Sequence, residues 1–223
     1  MKSIEDIFVL LPINKNTIME LHEAILKRSS VRQYKDEEVP VEHLKELVRM
    51  ALHAPSVNNY QPWRFIAIRN KALLQQMALE VTQQIDSLPA ISSIASDNIK
   101  SQVEWFSTFF ENAPAVIAVL AQDYETILEK GVKMDHEEVN RMRNYPDIQS
   151  IGACIENMLL TAVDLGYGAC WLSAPMIAKA SLEVLLDIAA PFRLMAFVAV
   201  GKALHDVPPK PKKDIGDAFV LID

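Results

Sequence analysis

Ala54-Pro55-Ser56-Val57-Asn58-Asn59-Tyr60-Gln61-Pro62-Trp63-Arg64-Phe65 is a dense polar loop bracketed by prolines. Upstream, Val41 to Ala54 places Leu44, Leu47, Val48, Ala51 and Leu52 on one face of a helix. Pro55 stops that helix, because it lacks the N–H that the next turn needs. Downstream, Phe65-Ile66-Ala67-Ile68 reads as a buried strand. Packing gives no reason for Ser56, Asn58, Asn59 and Gln61 to crowd this junction. Turn chemistry accounts for part of the pattern. The remainder is a set of fixed donors and acceptors suited to a flat heteroaromatic ligand.

One helix upstream lies a second polar cluster, Arg28-Ser29-Ser30-Val31-Arg32. The helix that leads into it is expected over Thr17 to Lys27, with Thr17 as its cap and Ile18, Leu21, Ile25 and Leu26 as its apolar stripe. Cations at a helix C-terminus meet the dipole favourably, so Arg28 and Arg32 taken alone need no ligand. Beside the amide-rich loop they point to a phosphorylated heterocycle, held by charge at one end and by amides at the other.

The rest of the chain alternates helix and strand patterns. Lys71 to Ile85 reads as a helix, and Ser87 to Asn98 carries no clear period. Ile99 to Glu111 spaces Val103, Phe106, Phe109 and Phe110 helically, and Ala115 to Leu120 is a central strand. Tyr124 to Tyr145 is charged and irregular and reads as an exposed excursion or lid. Ile148 to Leu165 is the strongest helix: Ile151, Ile155, Met158, Leu159 and Ala162 share a face, and Gly166 closes it. Its Gly152, Ala153 and Cys154 allow close approach. Ala169 to Leu172 is a short strand, Ser181 to Ile188 a short helix, and Leu194 to Val200 a strand ending at Gly201. A Pro/Lys-rich segment, Lys202 to Asp214, precedes the apolar tetrad Phe219 to Ile222, which needs a partner to bury it. The class is mixed α and β, in one domain over residues 1–223.

Half of the 223 residues are hydrophobic (50%), enough for a large core, an extensive subunit interface, or both. Mean hydropathy is +0.10, yet no apolar run is long enough for a bilayer. A net charge of −7 argues against nucleic acid as the main partner. The acidic early residues Glu5 and Asp6 do not read as a signal peptide. Cys154 and Cys170 do not form a CxxC pair; they read as buried thiols in a reducing cytoplasm, and no metal site is expected. The five histidines are scattered; His22 and His43 fall on polar helix faces and are expected to be solvated rather than catalytic. No G-x-S-x-G, H-E-x-x-H, Walker A or G-x-G-x-x-G signature is present.

The two polar clusters together resemble the FMN-dependent nitroreductase family, which pairs a basic-Ser-x-basic motif with an A-P-S-x-x-N-x-Q-P-W-x-F loop. Leu165-Gly166-Tyr167-Gly168-Ala169-Cys170-Trp171 is similar to the family's later strand entry, and Val198 to Lys202 with Lys210 to Lys213 to its closing strand and basic tail. The resemblance covers nearly the whole chain. It implies an α+β fold with a central mixed, mostly antiparallel sheet flanked by helices, and a C-terminal strand exchanged in a homodimer that holds FMN at its interface. It implies that Arg28, Ser29, Ser30 and Arg32 hold the phosphate and ribityl side, and that Pro55, Ser56, Asn59 and Gln61 line the cofactor. Trp171, Leu172 and Ser173 would pass it on the other side, with Lys210 or Lys212 near the phosphate. Lys212 stands where the family has an arginine, which keeps the charge and loses the fork. The implied activity is ping-pong transfer of hydride from NADH or NADPH to a small electron-poor acceptor, a nitroaromatic or quinone. No side chain acts as a dedicated acid or base. The alternative is a protein of the same fold that binds or processes flavin without nicotinamide-driven reduction. Trp105, Phe106, Phe109 and Tyr124 are candidates for the acceptor pocket, although core packing accounts for most of them.

Overall fold

The computed structural model describes residues 19–89, 94–124 and 126–222. Strands β1 (Trp63–Ile68), β2 (Ala115–Gln122), β3 (Gly168–Leu172) and β4 (Phe192–Gly201) form one sheet in the order β1-β2-β4-β3. Every neighbouring pair is antiparallel. Among the described residues, the one parallel contact is an isolated bridge between Ser30 and Ala169 at the β3 edge.

β2 is apolar along almost its whole length and is buried on both faces. Its alternation sorts residues between two layers. Ala115, Ile117, Val119 and Ala121 face α2 (Val41–Ala51) and α6 (Pro146–Asp164). Val116, Ala118 and Leu120 face α3 (Lys71–Asp86), the 3-10 turn Phe109–Asn112 and Leu182 of α7 (Lys179–Leu185). Covering both faces explains why a short antiparallel sheet reads as continuous hydrophobic runs.

α6 ends as the sequence predicts. Gly166 takes φ +71°, Tyr167 N donates to Ala162 O and Gly166 N to Val163 O, which satisfies the last carbonyls. α1 (Leu21–Lys27) is shorter than expected; Thr17 and Ile18 lie outside the described residues. Its buried residue is Ala24, while Leu21, Ile25 and Leu26 are 62%, 50% and 72% exposed. The described part of the expected apolar stripe is therefore left largely exposed by its own chain. α4 spans Ile94–Thr108, so the segment read as aperiodic is helical from Ile94 onward, and residues 90–93 lie outside the described set.

Most described residues between Tyr124 and Tyr145 are exposed, as expected, but the segment is anchored. Tyr124, Thr126, Val139 and Asn140 are buried, and α5 (His136–Met142) starts at a reciprocal capping box between Asp135 and Glu138. Beyond β4, the chain pairs with the segment after α1 through Lys35 N to Lys202 O and Leu204 N to Gln33 O. The tetrad Phe219 to Ile222 forms no strand in the single chain and stays exposed.

Candidate functional site

The basic strip runs extended along the β3 edge. Val31 N donates to Ala169 O at 3.1 Å. The approach is close because β3 opens with Gly168: a Cβ there would stand 2.5 Å from Val31 Cγ2. Tyr34 anchors the far end, its hydroxyl donating to Val31 O at 2.6 Å. Burial, with Cys170 adding to it, pushes the Tyr34 phenol well above its ordinary range.

Extended backbone sends alternate side chains to opposite sides. Arg28, Ser30 and Arg32 gather near Cys170, whose thiol is pushed up by burial while Arg32, Ser30 and Arg28 pull it down. Ser29 and Val31 instead line a groove of about 580 Å³ between α1 and the tail, together with Tyr167, Gly168, Val207 and Pro208. Ser29 is thus separated from the other three. Arg28 and Arg32 retain most of their donor capacity. Arg28 Nε lies 3.7 Å from Glu156 Oε1, a long contact; Arg32 Nη1 donates to Ser30 O at 3.4 Å, and its guanidinium lies 5.4 Å above the Phe106 ring.

Trp171 is half exposed (45%) at the same edge. Its ring lies over Gly152 of α6, where a Cβ would meet it at 3.6 Å, so the small residues noted in α6 make room for this indole. Leu172 departs from the expectation: its side chain is buried in the core, which leaves only its backbone for a ligand. Ser173 is exposed.

The polar loop is anchored elsewhere on α6. Val57 N donates to Ser150 Oγ, whose hydroxyl donates in turn to Pro146 O. Ser56 Oγ accepts from Gln61 N, and Asn59 Oδ1 accepts from Gln61 Nε2. Asn58, Asn59 and Gln61 all take positive φ, at 50°, 53° and 54°. Asparagine tolerates this region and glutamine does so less readily, so the loop holds strain that its hydrogen bonds maintain. Pro55, Asn59 and Gln61 are exposed.

At about 100° per residue, Gly152 and Glu156 share a face of α6, and Ser150 points nearly opposite. The structure therefore sets Arg28, Ser30 and Arg32 along the β3 edge that also carries Trp171, and anchors the loop at Ser150, nearly opposite Gly152 on α6. Lys210 and Lys212 are exposed and form no hydrogen bond or ion pair among the described residues. Of the pocket candidates, Phe109 and Tyr124 are core, while Trp105 and Phe106 are 47% and 40% exposed beside Arg32.

His43 is the clearest residue misjudged from sequence. Its Nδ1 lies 2.8 Å from Tyr167 OH and the rings meet edge to face, while Lys202 Nζ sits 4.3 Å above the same Tyr167 ring. Both cysteines are free and buried. Among the described residues, no cluster of His, Cys, Asp and Glu could hold a metal ion, and no helix is long and apolar enough to cross a membrane.

The chain is similar to known proteins in sequence and in fold. The chain is 27% identical over 213 residues to an iodotyrosine deiodinase of Nematostella vectensis, covering 93% of this chain and 76% of that one. A BluB-like flavoprotein from Clostridium difficile 630 superimposes with a TM-score of 0.81 at 28% identity, over 92% of this chain and all (100%) of that one. A nitroreductase with bound FMN from Desulfitobacterium hafniense DCB-2 gives a TM-score of 0.70 at 22% identity, over 92% and 100%. The model of the Nitroreductase family matches residues 25–202, which span the basic strip, the polar loop and all four strands, and the chain belongs to that family.

Proposed function

We propose that the chain is an FMN-dependent oxidoreductase that takes hydride from NADH or NADPH and passes it to electron-poor acceptors, nitroaromatics or quinones, in a ping-pong cycle. The observation that carries this reading is the pairing of Arg28 and Arg32, with donors to spare, and the half-exposed Trp171 on one edge. That edge offers cations for a phosphate and an aromatic surface for a ring, which fits FMN. The similarity to an FMN-bound nitroreductase supports the same fit.

Bound FMN supplies the hydride chemistry, and the protein supplies binding, orientation and field. Arg28 and Arg32 hold the phosphate end by charge-assisted hydrogen bonds. Trp171 covers one ring edge, and the Ser173 hydroxyl and Leu172 backbone add polar contacts there. Asn59 and Gln61 present amides to a second ligand edge. Because the loop lies across α6 from Arg28, a complete site joins the strip of one subunit to the loop of another. The exposed stripe Leu21, Ile25 and Leu26 and the unburied tetrad Phe219 to Ile222 supply apolar surface for such a homodimer, with the tail added to the partner and Lys210 or Lys212 carried toward the phosphate. Shared access for donor and acceptor makes the exchange sequential, and no acid or base side chain is required.

A second reading is favoured by the higher TM-score and identity to the BluB-like flavoprotein and by the likeness to iodotyrosine deiodinase: a flavin enzyme of this fold whose acceptor or flavin chemistry differs from nitroreduction. Anaerobic mixing of the FMN-loaded protein with NADH and with NADPH separates the two. Rapid bleaching, followed by recovery on adding a nitroaromatic or quinone, supports the first. A yellow protein that neither donor bleaches favours the second, and a colourless protein that takes up no FMN removes both.

A further inference from the structure

The two arginines of the basic strip are held in different ways. Arg28 has the Glu156 carboxylate within 3.7 Å. Arg32 is half-buried and has no carboxylate partner among the described residues. A long cationic side chain of this kind ordinarily keeps its head in water. Arg32 instead lies over the ring of Phe106, which comes from the last turn of α4. The distance to the ring centroid, 5.4 Å, is within the range of a cation–π contact. One further contact fixes its direction, the bond from Nη1 to Ser30 O at 3.4 Å.

The ring beneath Arg32 is itself held. Trp105 meets Phe106 edge to face, with centroids 4.8 Å apart, and leans on the buried Phe109 at 5.9 Å. Thr82 of α3 donates to the Glu104 carboxylate at 3.1 Å, which ties this end of α4 to its neighbour. Phe106 nevertheless belongs to neither layer of the core and stays 40% exposed. Core packing therefore does not account for a phenylalanine at this position, and its one charged neighbour does.

A carboxylate and an aromatic ring hold an arginine to different effect. The carboxylate neutralises it and competes with an incoming phosphate. The ring face attracts the cation through its quadrupole and leaves most of the guanidinium N–H groups free. A side chain ordered in advance also loses less entropy when the ligand arrives. We infer that Phe106 is a specificity-determining residue of the flavin site: by positioning Arg32 it makes the chain select FMN over the unphosphorylated riboflavin. This rests on Arg32 holding the FMN phosphate. Phe106 acts through Arg32 and does not itself touch the flavin ring.

Fluorescence titration of the flavin-free full chain with FMN and with riboflavin tests this. Phe106→Leu should weaken FMN about threefold and leave riboflavin unchanged. The loss should shrink as salt rises, because it is carried by a charge. Phe106→Tyr keeps the ring face and should bind both flavins as the wild type does. In an Arg32→Met background, Phe106→Leu should change nothing further. If the leucine variant does not fold, Phe106→Met stands in its place. Unchanged FMN affinity in Phe106→Leu, or a further loss in the Arg32→Met background, would overturn the assignment. So would an equal loss of both flavins, which would mean that the ring stacks on the flavin itself. In each of these cases a wild-type chain that binds FMN keeps the oxidoreductase reading intact. A wild-type chain that binds neither flavin overturns both.

Discussion

Gly168 and Val31 touch so closely that no side chain fits between them: a Cβ on Gly168 would lie 2.5 Å from Val31 Cγ2 and 2.7 Å from Val31 Cβ. The contact presses the basic strip onto the edge of β3, the strand that also carries Trp171. Gly168→Ala should cost about 1–3 kcal/mol of stability by overpacking and weaken FMN binding along with it. Adding Val31→Ala should return part of both losses. A thermal melt and a flavin fluorescence titration on the single and double variants measure the coupling. Purely additive losses would mean that the strip is held by something other than this contact.

Glu156 shares its face of α6 with Gly152 and lies 3.7 Å from Arg28. A carboxylate so placed competes with an anionic phosphate for the same cation. Glu156→Gln should therefore tighten FMN, by about threefold at low salt because the pair is half exposed and screened. The gain should shrink as salt rises. Weaker binding in the variant would mean that Glu156 orients Arg28 for the phosphate.

Much of this arrangement is legible in the sequence, for reasons that can be named. α6 is read correctly because one face is uniformly apolar and Gly166 marks its end, and β2 because both of its faces are buried. The α1 stripe is legible as apolar spacing, but spacing does not say which chain covers it. α5 is missed although Asp135 and Glu138 spell a capping box, because the charged residues around them mask a short helix. In sequence the strip and the loop look like the charged end and the amide-lined end of one site. Their separation across α6 arises from helix phase and from the anchor of Val57 on Ser150, which no local pattern encodes. Leu172 follows from strand alternation: Trp171 points out, so Leu172 points in.

Cys154 is fully buried within α6, and burial pushes its thiol from 9.0 up to about 12. A raised acid pKa means that the folded state resists ionisation that the unfolded chain undergoes freely. Its contribution is complete below pH 9.0 and is lost as pH rises toward about 12. Denaturant midpoints should fall over that window, and less steeply in Cys154→Ala. In the native protein the thiolate fraction at Cys154 is roughly a thousandfold below that of a free thiol. Iodoacetamide should therefore leave it unmodified until the chain unfolds.

The tail provides the sharpest test of the assembly. Phe219, Val220, Leu221 and Ile222 are 62%, 83%, 69% and 89% exposed, and Ile215 is 75% exposed. Burying a side chain of this kind contributes about 1.5–3 kcal/mol, so the tetrad loses several kcal/mol by staying in water. Within one chain nothing among the described residues covers it, and a second subunit can. Truncation after Asp214 keeps Lys210 and Lys212 and removes residues 215–223, which carry Ile215 and the apolar tetrad together with Asp217 and Asp223. If the tail adds to a partner, light scattering should show the truncated chain shifting toward monomer at low micromolar concentration, with FMN lost in parallel. Phe219→Asp in the full chain should act in the same direction more weakly. A truncated chain that stays dimeric and yellow would place the interface on the α1 stripe without the tail. A monomeric chain that keeps its FMN would show that one subunit suffices, and that the loop across α6 takes no part in holding the cofactor.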